Sequence, residues 1–151
     1  MKKFIRIFQI GLIACLLCSL FMTSCNDKNP ILDIGLAPKD VAGKTMTING
    51  TSAGTIHITF YSNTSAGIKN NSGNYLSFSS ISYNKTNANA ATLLINGLQL
   101  NFGVVSSTDN ENLSLIFTSS TQGVVNGFYS RRWNDGTTTS GSIEYQSFTI
   151  F

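Results

Sequence analysis

The densest chemistry in the chain is one octapeptide, Phe128-Tyr129-Ser130-Arg131-Arg132-Trp133-Asn134-Asp135. Tyr, Trp and Arg are the residue types that dominate recognition sites, and an aromatic ring also offers a flat face to a sugar. On a strand, successive side chains alternate. Tyr129, Arg131 and Trp133 then share one face, and Phe128 and Arg132 the other. Tyr129, Arg131 and Trp133 are therefore the candidate ligand-binding residues. A structural role competes with this one, in which Trp133 closes one end of the fold and Arg131 or Arg132 lies over its ring.

Catalytic patterns are weaker. His57 is the only histidine, and it alternates with Ile56, Ile58 and Phe60, which turns it outward. No second histidine or spare cysteine completes a zinc site, so neither a metal nor another cofactor is expected. Glycosidase chemistry needs two carboxylates about 5–10 Å apart. The candidates are Asp109, Glu111, Asp135 and Glu144, most of them read in or beside turns. Serines abound, but no Gly-x-Ser-x-Gly nucleophile motif is present. The expected class is a non-catalytic binding module, with a hydrolase as the minor alternative.

Charge narrows the partners. The 151-residue chain carries a formal +3. With Lys2, Lys3 and Arg6 set aside, the remaining cations equal the 7 acids in number. A neutral body with two adjacent arginines has no basic stripe, so nucleic acid is not an expected partner.

Those three cations open an export signal. Ile7 to Met22 is apolar except for Gln9, Gly11 and Ser19, shorter than the roughly 20 apolar residues of a membrane-spanning helix. Small residues follow it, as before a cleavage site. Met22-Thr23-Ser24-Cys25 resembles a bacterial lipobox, with Met22 in place of the usual Leu. Leu12-Ile13-Ala14-Cys15 fits the same string, but cleavage there would leave the apolar run Leu16–Met22 on the product. Cys25 is thus the expected lipidation site. Of the 3 cysteines, Cys15 and Cys18 leave with the signal and none remains for a disulfide. The expected plan is a signal peptide over 1–24, a tether over 25–40 and a β-domain over 41–151. The expected location is the cell envelope, at the outer membrane, held by N-terminal lipid.

Positioning the octapeptide falls to strands. After Gly43 no 3.6-residue period persists, and alternation of period two is cut by turn residues every eight to twelve positions. Pro38-Lys39-Asp40-Val41-Ala42 suits one helical turn closed by Gly43. Asn49-Gly50 and Asn96-Gly97 read as tight turns, the second inside the clearest hairpin. Asp109 to Asn112 reads as another turn. Parity changes predict bulges across Ser79-Ser80 and near Gln146-Ser147. Asn49, Asn63, Asn70, Asn84 and Asn112 begin Asn-x-Ser/Thr strings, which beside a lipobox read as turn and strand residues. Short connections favour a meander. The expected fold is all-β, an antiparallel up-and-down barrel of about eight strands, with a β-sandwich as the alternative.

Asp40-Val41-Ala42-Gly43-Lys44-Thr45 resembles the start of a calycin (lipocalin-like) barrel, with Thr45 in place of the tryptophan. In that family a late arginine packs on the tryptophan, a place open to Arg131 or Arg132. Asn87-Ala88-Asn89-Ala90-Ala91-Thr92-Leu93 and Leu115–Gly123 resemble small lipoprotein barrels such as those common in Bacteroidetes. The resemblance implies a barrel with an internal pocket for a small apolar or amphipathic molecule or a glycan. A protein-protein interaction module of the envelope (an inhibitor, adhesin or assembly subunit) is the alternative function.

Overall fold

Alternating apolar residues and frequent turn residues build an all-β body. The structure, a computed structural model, describes residues 35–151. The expected signal peptide and Cys25 lie outside the described residues. The strands are β1 (Thr45–Thr51), β2 (Gly54–Ser62), β3 (Ser65–Asn70), β4 (Tyr75–Leu76), β5 (Ser80–Asn87), β6 (Ala90–Asn101), β7 (Ser106–Ser119), β8 (Gln122–Trp133) and β9 (Thr138–Ile150). They form one antiparallel sheet in the order β4-β3-β2-β1-β9-β8-β7-β6-β5. There is no second sheet among the described residues, so the sandwich alternative gives way.

One face of the sheet is buried, and it is apolar except at the β6–β7 turn end. Met46 and Ile48 of β1 meet Ile56, Ile58 and Phe60 of β2, Leu93 and Ile95 of β6, and Leu113 and Leu115 of β7, all at 0% exposure. The opposite face carries Thr47, His57, Thr59, Ser114 and their neighbours, none of them fully buried. Period-two alternation thus separates core from solvent as it does in any half-buried antiparallel sheet.

The expected barrel does not close. β9 pairs with β1, but the two ends of the sheet, β4 and β5, are not paired. The cause is local. Asn70 folds the Asn71–Asn74 loop onto itself, its Oδ1 accepting N–H bonds from Ser72 and Asn74, both at 3.0 Å. β4 then has room for two pairs with β3, Ile68↔Leu76 and Lys69↔Tyr75. The chain next leaves β3 and runs beside β6, where Ser79 N–H donates to Asn96 O at 2.8 Å and Gln99 N–H to Ser77 O at 2.8 Å. The seam is spanned by Tyr83 N–H on Asn63 O at 2.7 Å. Leu76, Phe78 and Ala66 pack against the core there. The Ser79-Ser80 bulge is therefore a strand break.

Both Asn-Gly pairs are bulges within strands, not hairpin turns. β6 runs unbroken through Asn96-Gly97, and its register against β7 slips between Ile95 and Leu98. Gly97 has φ 65°, which glycine adopts without a steric penalty, and Ser79 fills the place a β-carbon would take. The slip keeps Leu93 and Ile95 on the same buried face as Leu98 and Leu100. Gly50 has φ 65° in a slip between Ile48 and Thr51, and the β1–β2 turn falls at Ser52-Ala53. The β9 bulge lies at Glu144-Tyr145, slightly before the expected place. Tyr145 takes φ 53° and its N–H donates to Asn126 Oδ1 at 2.8 Å.

The segment ahead of β1 forms no helix. Asp40 Oδ1 accepts from Ala42 N–H at 2.9 Å, making a turn. Ala37 and Val41 are buried. Ala37 N–H donates to Ala88 O at 3.0 Å, so residues at the end of the expected tether pack onto the β5–β6 turn.

Candidate functional site

The β1–β2, β6–β7 and β8–β9 turns gather at one end of the sheet, opposite the end where the described chain begins. There the odd-numbered residues of β7 face inward without interruption: Ser107, Asp109, Glu111, Leu113, Leu115 and Phe117 are all buried. The Asp109–Asn112 turn expected from composition is thus the middle of a strand. Polar residues are tolerated on its inner face because each carboxylate finds partners.

Asp109 lies directly across from Arg131, Glu111 from Tyr129 and Ser107 from Trp133. Tyr129, Arg131 and Trp133 therefore share the inner face, as alternation requires. Arg131 Nη2 donates to Asp109 Oδ2 at 2.8 Å and Nε to Oδ1 at 3.0 Å. This is a two-pronged, charge-assisted pair of the strong kind. Nη2 also donates to Ser52 O at 2.9 Å, which ties the β1–β2 turn to β8. Ser107 Oγ donates to Asp109 Oδ1 at 3.0 Å. The side chain of Asp109 is wholly buried, while that of Arg131 keeps 12% of its exposure.

Three aromatic rings surround the guanidinium. Its central carbon lies 5.0 Å from the Trp133 ring centroid, 5.3 Å from Phe102 and 5.4 Å from Tyr129. Such distances fall within cation–π range. Phe102 and Trp133 also touch each other, with centroids 5.8 Å apart. Tyr129 can lie across β9 because its partner there is Gly141, where a β-carbon would meet the ring. Hydrogen bonding to Asp109 raises the Arg131 pKa above its ordinary value.

Glu111 lies beneath the β1–β2 turn. Its Oε1 accepts from Ser52 Oγ at 2.6 Å and Ser52 N–H at 3.0 Å. Its Oε2 is buried without a partner. Burial, chiefly, raises the Glu111 pKa, against the lowering effect of the two Ser52 bonds. Asp109 and Glu111 therefore sit one pleat apart, but their contacts hold Arg131 and Ser52 in place and face the interior.

On the opposite, outer face of the same strand ends opens a groove of about 560 Å³, lined by Ser106, Thr108 and Asn110 of β7 and by Arg132 and Asn134 at the end of β8, with Ser107 and Trp133, whose side chains turn inward, between them. Asn134 N–H on Ser106 O at 3.0 Å and Trp133 N–H on Thr137 O at 2.9 Å fix its wall. Next to it the β6–β7 turn exposes Phe102, Val104 and Val105, at 50%, 96% and 42%.

The remaining candidates stand apart. His57 is on the outer face, its Nδ1 bonded to Thr47 Oγ1 at 2.9 Å, across from Lys69. Asp135 is in the β8–β9 turn, its Oδ1 accepting from Thr137 N–H at 2.8 Å and Oγ1 at 2.7 Å. Among the described residues no three His, Cys, Asp or Glu side chains stand close enough to hold a metal. Thr45, at the calycin-like position, begins β1 at the far end of the sheet from Arg131, so the two do not meet. No helix among the described residues is long and apolar enough to cross a membrane. No protein-family model, curated protein or solved structure matches the chain.

Sequence reasoning had Asp109 and Glu111 only as candidate carboxylates beside a turn, and it missed Ser52 and Phe102. For the first two a signal existed, because their odd parity continues that of Leu113, Leu115 and Phe117.

Proposed function

We propose that this chain is an exported, lipid-anchored envelope protein whose β-domain is a non-catalytic binding module. It takes a glycan in the groove on the outer face at the end of β7 and β8. The observation that carries this reading is the composition of the groove, the hydroxyl, amide and guanidinium groups of Ser106, Thr108, Asn110, Asn134 and Arg132 on one face. Its volume of about 560 Å³ falls in the usual range of small-molecule sites, about 300–1,000 Å³. The ligand belongs at the end of the sheet and not within it, because apolar side chains fill the inner face.

The lipobox supports the anchored part of the proposal. The described chain starts beside the β5–β6 turn, and β6 has 12 residues. At about 3.4 Å per residue, the groove stands roughly 35–40 Å from the end that the tether joins.

The test is a glycan array probed with the full-length chain and with the exposed groove variant Asn110→Ala/Arg132→Ala. Binding that the variant loses supports the reading; no binding by the wild type overturns it. Palmitate labelling of wild type and Cys25→Ala tests the anchor, and equal labelling of both overturns that part. The exposed Phe102-Val104-Val105 turn favours a second reading, an envelope protein partner docking at the same end.

A further inference from the structure

The β6 bulge at Gly97 orients two side chains of the groove. Gly97 N–H donates to Asn110 Oδ1 at 2.9 Å. A backbone N–H is met by an oxygen and not by an NH2 group, so this bond fixes which way the Asn110 amide points. The Asn110 oxygen is engaged, and its Nδ2, without a partner among the described residues, is left for the groove. The carbonyl of the same glycine acts on Thr108. Gly97 O accepts from Gln99 Nε2 at 3.5 Å, and that nitrogen donates to Thr108 Oγ1 at 3.1 Å. The Thr108 oxygen thus accepts one bond, and its O–H remains to be given.

Arg132 has donors only. No carboxylate lines the groove. Asp135, the nearest acid in sequence, stays outside the lining, its Oδ1 accepting from Thr137. Every groove side chain whose hydrogen-bonding direction the structure fixes therefore presents hydrogen.

A donor face is matched by acceptors that carry no hydrogen of their own. A sugar hydroxyl brings a proton that needs an acceptor in turn. An acetamido carbonyl brings two lone pairs and no proton. Thr108 and Asn110 are neighbours on one face of β7, so their donors converge on one group. Both are neutral, and Arg132 is exposed, where salt screens it, so charge does not select the ligand. We propose that the groove prefers N-acetylated sugars to their hydroxyl counterparts, with Asn110 as the residue that sets the preference and the Gly97 bulge as the element that orients it. This rests on the glycan reading of the groove and deepens it.

Tri-N-acetylchitotriose and cellotriose share one β-linked backbone and differ in carrying an acetamido group or a hydroxyl beside the anomeric carbon. Calorimetric titration of the purified full-length chain in detergent should show the first bound about tenfold tighter, the scale of one good hydrogen bond. Asn110→Asp keeps the oxygen that Gly97 N–H needs and removes the donor, so the two affinities should converge. Thr108→Val should narrow the gap as well, and it carries the test if Asn110→Asp does not fold. Failure of tri-N-acetylchitotriose to bind, equal or tighter binding of cellotriose, or an acetamido preference that survives Asn110→Asp overturns the proposal and leaves the glycan reading to the array. If no glycan of the array binds, both fall.

Discussion

Replacing Arg131 by Met strands a carboxylate. Asp109 is wholly buried and accepts three of its contacts from Arg131, at 2.8, 3.0 and 3.1 Å. Without them it keeps Ser107 Oγ at 3.0 Å. Removing one partner of a buried ion pair costs about 3–5 kcal/mol, because the other charge is left uncompensated. In a domain of this size each kcal/mol moves the melting temperature by about 4 °C, so Arg131→Met should lower it by roughly 12–20 °C. The reciprocal change is milder. Asp109→Asn strands Arg131, which retains 12% exposure and its bond to Ser52 O, so water and the carbonyl offset part of the loss. About 1–3 kcal/mol is expected. The double variant Asp109→Leu/Arg131→Met buries no charge and should be less destabilised than Arg131→Met alone. Circular-dichroism melts of the four proteins at one pH measure all of this. An Asp109→Asn loss equal to or larger than the Arg131→Met loss would refute the asymmetry. A double variant as destabilised as Arg131→Met or more so would show that the stranded carboxylate is not the source of the loss.

Other outcomes follow from the same geometry. The raised pKa of Glu111 means that the folded state holds this proton more tightly than the unfolded chain. Its contribution is fully present below the unfolded carboxylate value and is lost as pH rises through the folded one. The melting temperature of Glu111→Gln minus that of wild type should therefore increase between about pH 4 and pH 7, and a flat difference counts against a buried Glu111. Gly97→Ala combines a left-handed backbone with the space taken by Ser79. It should cost more than Gly43→Ala, where φ is 76° but the space is open; the left-handed conformation alone costs about 1–2 kcal/mol, and urea midpoints of the two variants settle the order. Leu113→Ala opens a cavity at a fully buried site and should cost about 2–5 kcal/mol by the same titration.

Alternation made the core face legible: Ile56, Ile58 and Phe60, and Leu113, Leu115 and Phe117, could be placed from spacing alone. So could the shared face of Tyr129, Arg131 and Trp133. Local turn chemistry misled where a strand could absorb it. Asn96-Gly97 has the composition of a hairpin turn, yet a bulge uses glycine's positive φ equally well. The change of parity from Leu93 and Ile95 to Leu98 and Leu100 was the sign of it, the same sign that located the β9 bulge. Acidic residues at 109 and 111 read as a turn because an unpaired carboxylate is not tolerated inside. Their partner Arg131 is 22 residues from Asp109, and Ser52 is 59 residues from Glu111. Pairings at that distance depend on register, which one sequence does not display. The open seam depends on how Asn70 folds a short loop, and the groove on the register that sets β7 beside the end of β8.

The central claim is that this protein binds its ligand at the end of β7 and β8. Amide chemical-shift mapping during titration with the tightest-binding glycan of the array tests it most directly. The predicted result is a saturable set of shifts at residues 106–110 and 132–134, with Thr47, His57 and Lys69 of β1, β2 and β3 unchanged. Shifts confined to β1–β3, or none at any concentration, would contradict it.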